Sequence, residues 1–330
     1  MPRRPLRRPP RLRPGDRVAV VAPSGPVDPD RLHRGCALLT SWELRVTLGR
    51  HVNERSGFLA GADAGRAADL VDAWCDPDVR AVLCARGGYG ATRLLGLIDW
   101  PALAAVAEPP WLVGGSDVTA LHEAVATHLG RATLFGPMPA GDVLGGVDGP
   151  DPGSAAALHT ALFAPPGPLT LTTSGTANAT LVPGRARGVT AGGTLALLAA
   201  AVGTPDTTSA DGAVLLLEDV GERAYRIDRM LTQLLRSGWL DGVTGVALGC
   251  WEHCGAGTID VLAERLGPLG VPVLAGLPFG HGVPQLSVPL GAPALLDTAA
   301  GTLTVDPERA VSQEGSGERS ATSRRGCTRC

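Results

Sequence analysis

The 330-residue chain contains no lysine, and all 29 of its basic residues are arginine. That absence excludes a Schiff-base lysine, a Ser–Lys dyad and the lysine of a phosphate-binding P-loop. Aromatic residues make up only 4% of the chain, so a core has to be built mainly from Leu, Val and Ala. No apolar run approaches the ~18 residues of a membrane-spanning helix. The formal net charge is −3, which gives no global reason to expect nucleic acid or an acidic membrane surface as partner. The seven cysteines are scattered and odd in number, unlike the framework of a disulfide-rich secreted domain. Cys250, His253 and Cys254 lie close together, but no further ligands follow at zinc-site spacing, so no metal is expected. Cys327 and Cys330 form a terminal C-x-x-C with no strand–helix context around it.

What is present is enough apolar material for a sizeable core, at 44% of residues, over a length that suggests two domains. The first 14 residues hold six arginines and five prolines, like the charged start of an export signal. No 7–15-residue apolar stretch follows, because Val18 to Ala22 is short and reads as a strand. The expectation is a cytoplasmic chain with residues 1–14 disordered. From residue 15 to 140, short β-branched runs (Val18–Val21, Leu44–Leu48, Val79–Cys84, Trp111–Val113) alternate with helical segments (Asp28–Ser41, Asp63–Trp74, Ala91–Ile98, Val118–Leu129). Such alternation predicts an α/β domain with a parallel sheet covered on both faces. Residues 141–188 are rich in Gly, Pro, Ala and Thr and read as a linker, with a short helix over Ser154–Phe163 and an irregular strand. A second α/β domain is expected over 189–310, and a disordered Ser/Gly/Arg-rich tail over 311–330.

Three distant segments carry chemistry. Gly114-Gly115-Ser116-Asp117 follows the apolar run Trp111–Val113; Glu218 and Asp219 end the run Leu215–Leu217; His281 stands between Gly280 and Gly282. A serine on a sharp strand-to-helix turn has its hydroxyl pushed out at the carboxyl end of the sheet, although a plain helix cap reads the same way. A carboxylate ending a buried strand needs a reason for its desolvation, and orienting an imidazole is one. Hydroxyl, imidazole and carboxylate are the parts of a nucleophilic hydrolase. His122, six residues after Ser116, is the main rival to His281 as base, most of the other histidines reading as solvent-facing. Arg86-Gly87-Gly88-Tyr89-Gly90 ends a strand and opens a helix, so its amides could hold an anion or simply make a turn.

With these segments, Arg13–Asp16, Ala22–Gly25, Phe135–Met138 and Tyr225–Arg229, the chain resembles the LD-carboxypeptidase family of serine peptidases, which includes the microcin C immunity proteins. The likeness covers roughly Leu12 to Pro307. The resemblance implies a flavodoxin-like, doubly wound N-terminal domain, a β-rich C-terminal α/β domain, a homodimer, and no cofactor or metal. It makes Ser116 the nucleophile, His281 the base and Glu218 its orienting carboxylate, with the backbone N–H groups of Gly88 and Asp117 as oxyanion hole. Arg86, Tyr89 and Arg226 become candidate substrate contacts. The implied activity is removal of a terminal D-alanine from murein tetrapeptides in cell-wall recycling. Hydrolysis of aminoacyl or peptidyl nucleotides is the runner-up, and a non-catalytic module for anionic ligands is the alternative of another class. Three positions depart from the family pattern: Gly115 where Tyr is frequent, and Thr194 and Gln285 where Asn is frequent.

Overall fold

In the computed structural model, residues 2–165, 167–173 and 180–306 are described. The predicted alternation in the first half is realised. Strands β1 (Arg17–Val21), β2 (Arg45–Leu48), β3 (Val79–Cys84), β4 (Trp111–Gly114) and β5 (Thr133–Phe135) form a parallel sheet in the order 2-1-3-4-5. Helices α1 (Pro29–Ser41), α2 (Asp63–Cys75), α3 (Trp100–Ala104) and α4 (Thr119–Leu129) connect them. Asp28 caps α1 by accepting from the amides of Asp30 and Arg31. Strand residues alternate between two cores: Val18, Val20, Leu83 and Val113 pack with α1, while Ala19, Val21, Val82 and Leu112 pack with α2 and α4.

The second half holds α5 (Asp142–Gly145), α6 (Pro152–Phe163), α7 (Leu195–Ala201), α8 (Ala224–Arg236) and α9 (Thr258–Leu266). Its strands are β6 (Leu169–Thr172), β7 (Thr180–Val182), β8 (Arg185–Thr194), β9 (Ala213–Val220), β10 (Gly245–Glu252), β11 (Val273–Leu274), β12 (Val288–Leu290), β13 (Pro293–Asp297) and β14 (Thr302–Val305). All but β12 form a mixed eight-stranded sheet, ordered 6-14-13-8-9-10-11-7, in which β8 to β11 run parallel. The uninterrupted apolar run of β9 follows from its central place, buried on both faces. β12 crosses back to pair antiparallel with β5, so the first sheet has six strands, one of them supplied by the second half.

Two expected boundaries differ. The 141–188 segment is built into the fold: Leu158 and Leu162 of α6 join the α1 core, and β8, whose glycines hid it in the sequence, begins at Arg185. The arm over residues 2–13, expected to be disordered, lies along both halves. The Arg3 amide donates to Asp211 O at 2.7 Å, the Leu6 amide to Gly291 O at 2.8 Å, and the Leu12 amide to Leu162 O at 2.8 Å. Trp111 Nε1 donates to Pro10 O at 2.9 Å. These bonds tie the arm to both halves at intervals, and Leu12 is buried, which its Arg/Pro composition concealed. The terminal Cys-x-x-Cys lies outside the described residues. Among the described residues, no helix is long and apolar enough to cross a membrane.

Candidate active site

The end of β4 turns sharply at Ser116, which holds φ of +57°. A non-glycine residue in the left-handed region is strained, and here the strain lifts the side chain out of the strand-to-helix path. A 3₁₀ turn over Ser116–Val118 then leads into α4. The Asp117 carboxylate is buried and accepts the Ala91 amide at 2.8 Å, tying the turn to the glycine-rich loop after β3. That loop comes so close that a Cβ on Gly87 would stand 2.9 Å from Ser116 Oγ. The Gly87 carbonyl accepts from Gly25 N at 3.1 Å and Arg86 Nε at 3.2 Å. In a trans peptide the adjoining Gly88 N–H points the opposite way, away from Gly25.

The second half supplies the facing groups. Glu218 lies near the end of β9 with no solvent exposure, and its Oε2 lies 2.6 Å from His281 Nδ1. The glycine before His281 is required: a Cβ on Gly280, whose φ is +99°, would sit 2.6 Å from the same carboxylate oxygen. The other oxygen, Oε1, accepts from Thr194 Oγ1 at 2.5 Å. Burial disfavours the charged imidazole, but the hydrogen bond and charge of Glu218, aided by Asp219 and Glu252, outweigh it and hold the His281 pKa above its ordinary value. With Nδ1 committed to Glu218, Nε2 is the ring nitrogen free for proton transfer.

Ser116 and His281 line one cleft of about 210 Å³ with Gly87, Gly88, Arg31, Arg86 and Gln285. Arg86 also donates from Nη1 to Pro26 O at 3.2 Å. Tyr89 and Arg226 do not line it. Tyr89 turns outward, half-exposed, and meets the Phe58 ring edge-on at 5.5 Å between centroids. Arg226 lies back along α8, 3.5 Å from Glu222 one turn before it. The rival imidazole, His122, is buried and donates from Nε2 to Gly114 O at 3.0 Å. Burial drops its pKa to about 4, so it is a neutral prop beneath the Ser116 turn.

Asp219 has a different task from its neighbour. It accepts the amides of Ala196 at 2.9 Å and Val220 at 2.8 Å, and burial, reinforced by Glu218 and Glu222, raises its pKa to about 6. The supporting groups Thr194, Arg31 and the Asp117 carboxylate were missed as such from sequence. Thr194 stood out only as a departure from the family pattern, and Asp117 only as an amide donor. Among the described residues, no group of three or more His, Cys, Asp or Glu side chains is arranged to hold a metal.

The chain is similar to known proteins over most of its length. The profile of the LD-carboxypeptidase N-terminal domain matches residues 18–136, and that of the C-terminal domain matches residues 187–296. A Streptomyces coelicolor protein that carries a carboxypeptidase name is 56% identical over 92% of this chain and 97% of its own. The murein tetrapeptide carboxypeptidase of Pseudomonas aeruginosa is 34% identical over 85% of this chain and 93% of its own. The crystal structure of muramoyltetrapeptide carboxypeptidase from Oxalobacter formigenes superposes with a TM-score of 0.77 at 30% identity, covering 88% of this chain and 97% of that one. The microcin immunity protein MccF, in complex with glutamyl sulfamoyl guanosine, shares the fold at a TM-score of 0.81 and 21% identity, covering 91% of this chain and 98% of that one. The chain belongs to the LD-carboxypeptidase family, and is a serine carboxypeptidase.

Proposed function

We propose that the protein removes the terminal D-alanine from murein tetrapeptides in the cytoplasm, as a step of cell-wall recycling, using Ser116, His281 and Glu218. The observation that carries this reading is the Glu218–His281 pair, brought by the second half to the cleft that holds Ser116 at a strained turn of the first. Ser116 Oγ attacks the scissile carbonyl carbon while His281 Nε2 takes its proton. The carbonyl oxygen becomes an oxyanion held by the N–H groups of Gly88 and Asp117. The C–N bond then breaks, and the imidazolium returns the proton to the departing amine. Water, deprotonated by the same imidazole, attacks the acyl ester; its carbon–oxygen bond breaks and Ser116 regains the proton. Glu218, at 2.6 Å, stabilises the imidazolium in both halves of the cycle.

Selectivity for a terminal D-centre follows from where the free carboxylate lands. With the scissile carbonyl fixed by the oxyanion donors, inverting the terminal centre exchanges its methyl and carboxylate. Arg86, in the cleft wall, is the cation for that carboxylate. A carboxylate desolvated in the cleft without its partner costs several kcal/mol, so discrimination on the order of 10³ is expected.

The test is incubation with tetrapeptides ending in D- or L-alanine and with an aminoacyl sulfamoyl adenosine, followed by mass spectrometry. Release of alanine from the D-terminated peptide alone is the expected result. Equal rates on both peptides would refute the stereochemical account, and cleavage of the adenosine conjugate with the peptides untouched would establish the immunity-type amidase instead.

A further inference from the structure

Glu218 has two carboxylate oxygens and only one faces His281. The other accepts from Thr194 Oγ1, the residue directly opposite Glu218 in the parallel β8–β9 register. Thr194 is itself held from across the domain boundary: its amide donates to Thr119 Oγ1 at 3.1 Å. Thr119 is the first residue of α4, three residues beyond Ser116. All three residues are almost wholly buried, so neither hydroxyl has bulk water as a substitute partner. The approach is close enough that a Cβ on Gly193 would lie 2.6 Å from Thr119 Oγ1, which explains glycine there at φ of +142°.

We infer that Thr194 is a positioning residue for the reaction, and that the chain Thr119–Thr194–Glu218–His281 sets the imidazole relative to the Ser116 turn across the interface between the two halves. This rests on the proposed roles of Ser116, His281 and Glu218.

The physical case is one of geometry and of saturation. A carboxylate with one oxygen unpaired is free to rotate about its terminal torsion, which is broad for Glu. The short bond from Thr194 fixes that torsion, so Oε2 stays on the line to Nδ1. The amide bond to Thr119 in turn fixes Thr194 to the helix that starts at the nucleophile. A shift in the packing of the two halves would therefore be felt at Glu218, and not only at the cleft surface. Asp219 reinforces the turn from its own side by accepting the amide of Ala196, two residues after Thr194.

The experiment compares Thr194→Val, Thr194→Ser and Thr119→Val in the full chain, using steady-state kinetics on the tetrapeptide and thermal denaturation. Valine keeps the β-branched shape and removes the hydroxyl. Thr194→Val is expected to lower kcat on the order of ten- to a hundredfold with KM changed less than about threefold, and Thr194→Ser to restore most of it. Thr119→Val should lower kcat by a smaller factor, and the double variant should fall short of the product of the two single losses. A merely structural role would lower thermal stability in both Thr194 variants without separating Ser from Val in kcat. Wild-type kcat in a folded Thr194→Val would overturn the inference while leaving the Ser116–His281–Glu218 reading intact. Full activity in Glu218→Gln would bring down that reading itself.

Discussion

The two walls of the cleft are made in different ways. The first-half wall is largely backbone: a strained serine turn, two glycines after β3 and the amides that follow them, clamped by the Asp117 carboxylate on Ala91 N at 2.8 Å. The second-half wall is side chain: an imidazole on a glycine-flanked loop, a wholly buried carboxylate and the hydroxyl behind it. Backbone donors are fixed by the fold and lose no rotamer freedom when charge develops on a substrate, which suits them to an oxyanion. Side chains can gain and lose protons, which suits the other wall to acid–base work. The same contrast separates the two central histidines. His122 belongs to the rigid wall, and burial keeps it neutral with a pKa of about 4. His281 belongs to the proton-handling wall, and Glu218 keeps it readily protonated.

The largest effects should come from removing the proton-handling wall. His281→Ala is expected to lower kcat on the order of 10⁴–10⁶, about as much as Ser116→Ala, and combining the two should add little because they act as a unit. His122→Ala should leave kcat within several-fold and instead reduce stability by roughly 1–3 kcal/mol, from the lost bond to Gly114 and the void left behind. A reversal of these two phenotypes would erase the contrast between the walls.

Next in size is an insult to the spacing of the pair. Gly280→Ala puts a methyl group where the Glu218 carboxylate lies, 2.6 Å from Oε2, at a backbone φ of +99°. Displacing the carboxylate by a fraction of an ångström to an ångström should cost about 10² in kcat with the fold retained. A Gly280→Ala enzyme with wild-type kcat and a native melting transition would show that Glu218 need not sit where it does.

The pH profile sharpens the comparison further. As the proposed base, His281 must be neutral to accept a proton, and its folded-state pKa is raised above the ordinary imidazole value of about 6.5. Activity should therefore fall with decreasing pH along a limb centred above about 6.5. Glu218→Gln removes the charge that raises the pKa, so its residual activity should show the limb displaced to lower pH. A limb that stays in place would mean that another group titrates.

The smallest catalytic effect is expected at the N-terminal arm. Arg3 bonds to Glu123 on α4 at 2.9 Å and to Thr208 O and Ser209 O in the second half, so it joins the walls from outside the cleft. Arg3→Ala should reduce stability by about 2 kcal/mol, read by denaturant unfolding, with kcat changed only several-fold. A variant of wild-type stability would mean that the arm merely lies on the surface.

How much of this was legible depended on whether a signal was local. Strands β1, β3, β4 and β9 showed as β-branched or continuous apolar runs, and α2 as an amphipathic period, because burial there follows from residues near in sequence. The Ser, Glu and His positions were legible because each stands at the end of such a run or between glycines. β8 was hidden because Gly188, Gly192 and Gly193 weaken any strand pattern, and they are there for packing: a Cβ on Gly192 would meet Leu216 O of β9 at 2.2 Å. The arm was hidden because its backbone partners come from both halves of the fold. Thr194 and Thr119 carried no local signal at all, since their meaning lies in a contact between residues 75 positions apart. Arg226 and Tyr89 show the converse: their residue types suit an anionic substrate, yet neither side chain lines the cleft.

The central claim is that Ser116 is a nucleophile activated across the domain boundary by His281. An active-serine phosphonate probe with peptide mapping by mass spectrometry tests it directly. The expected result is a single adduct on Ser116 in the wild-type protein, formed equally fast in His122→Ala, slowed by orders of magnitude in His281→Ala and absent from Ser116→Ala. An adduct on another residue, or undiminished labelling of Ser116 in His281→Ala, would contradict it.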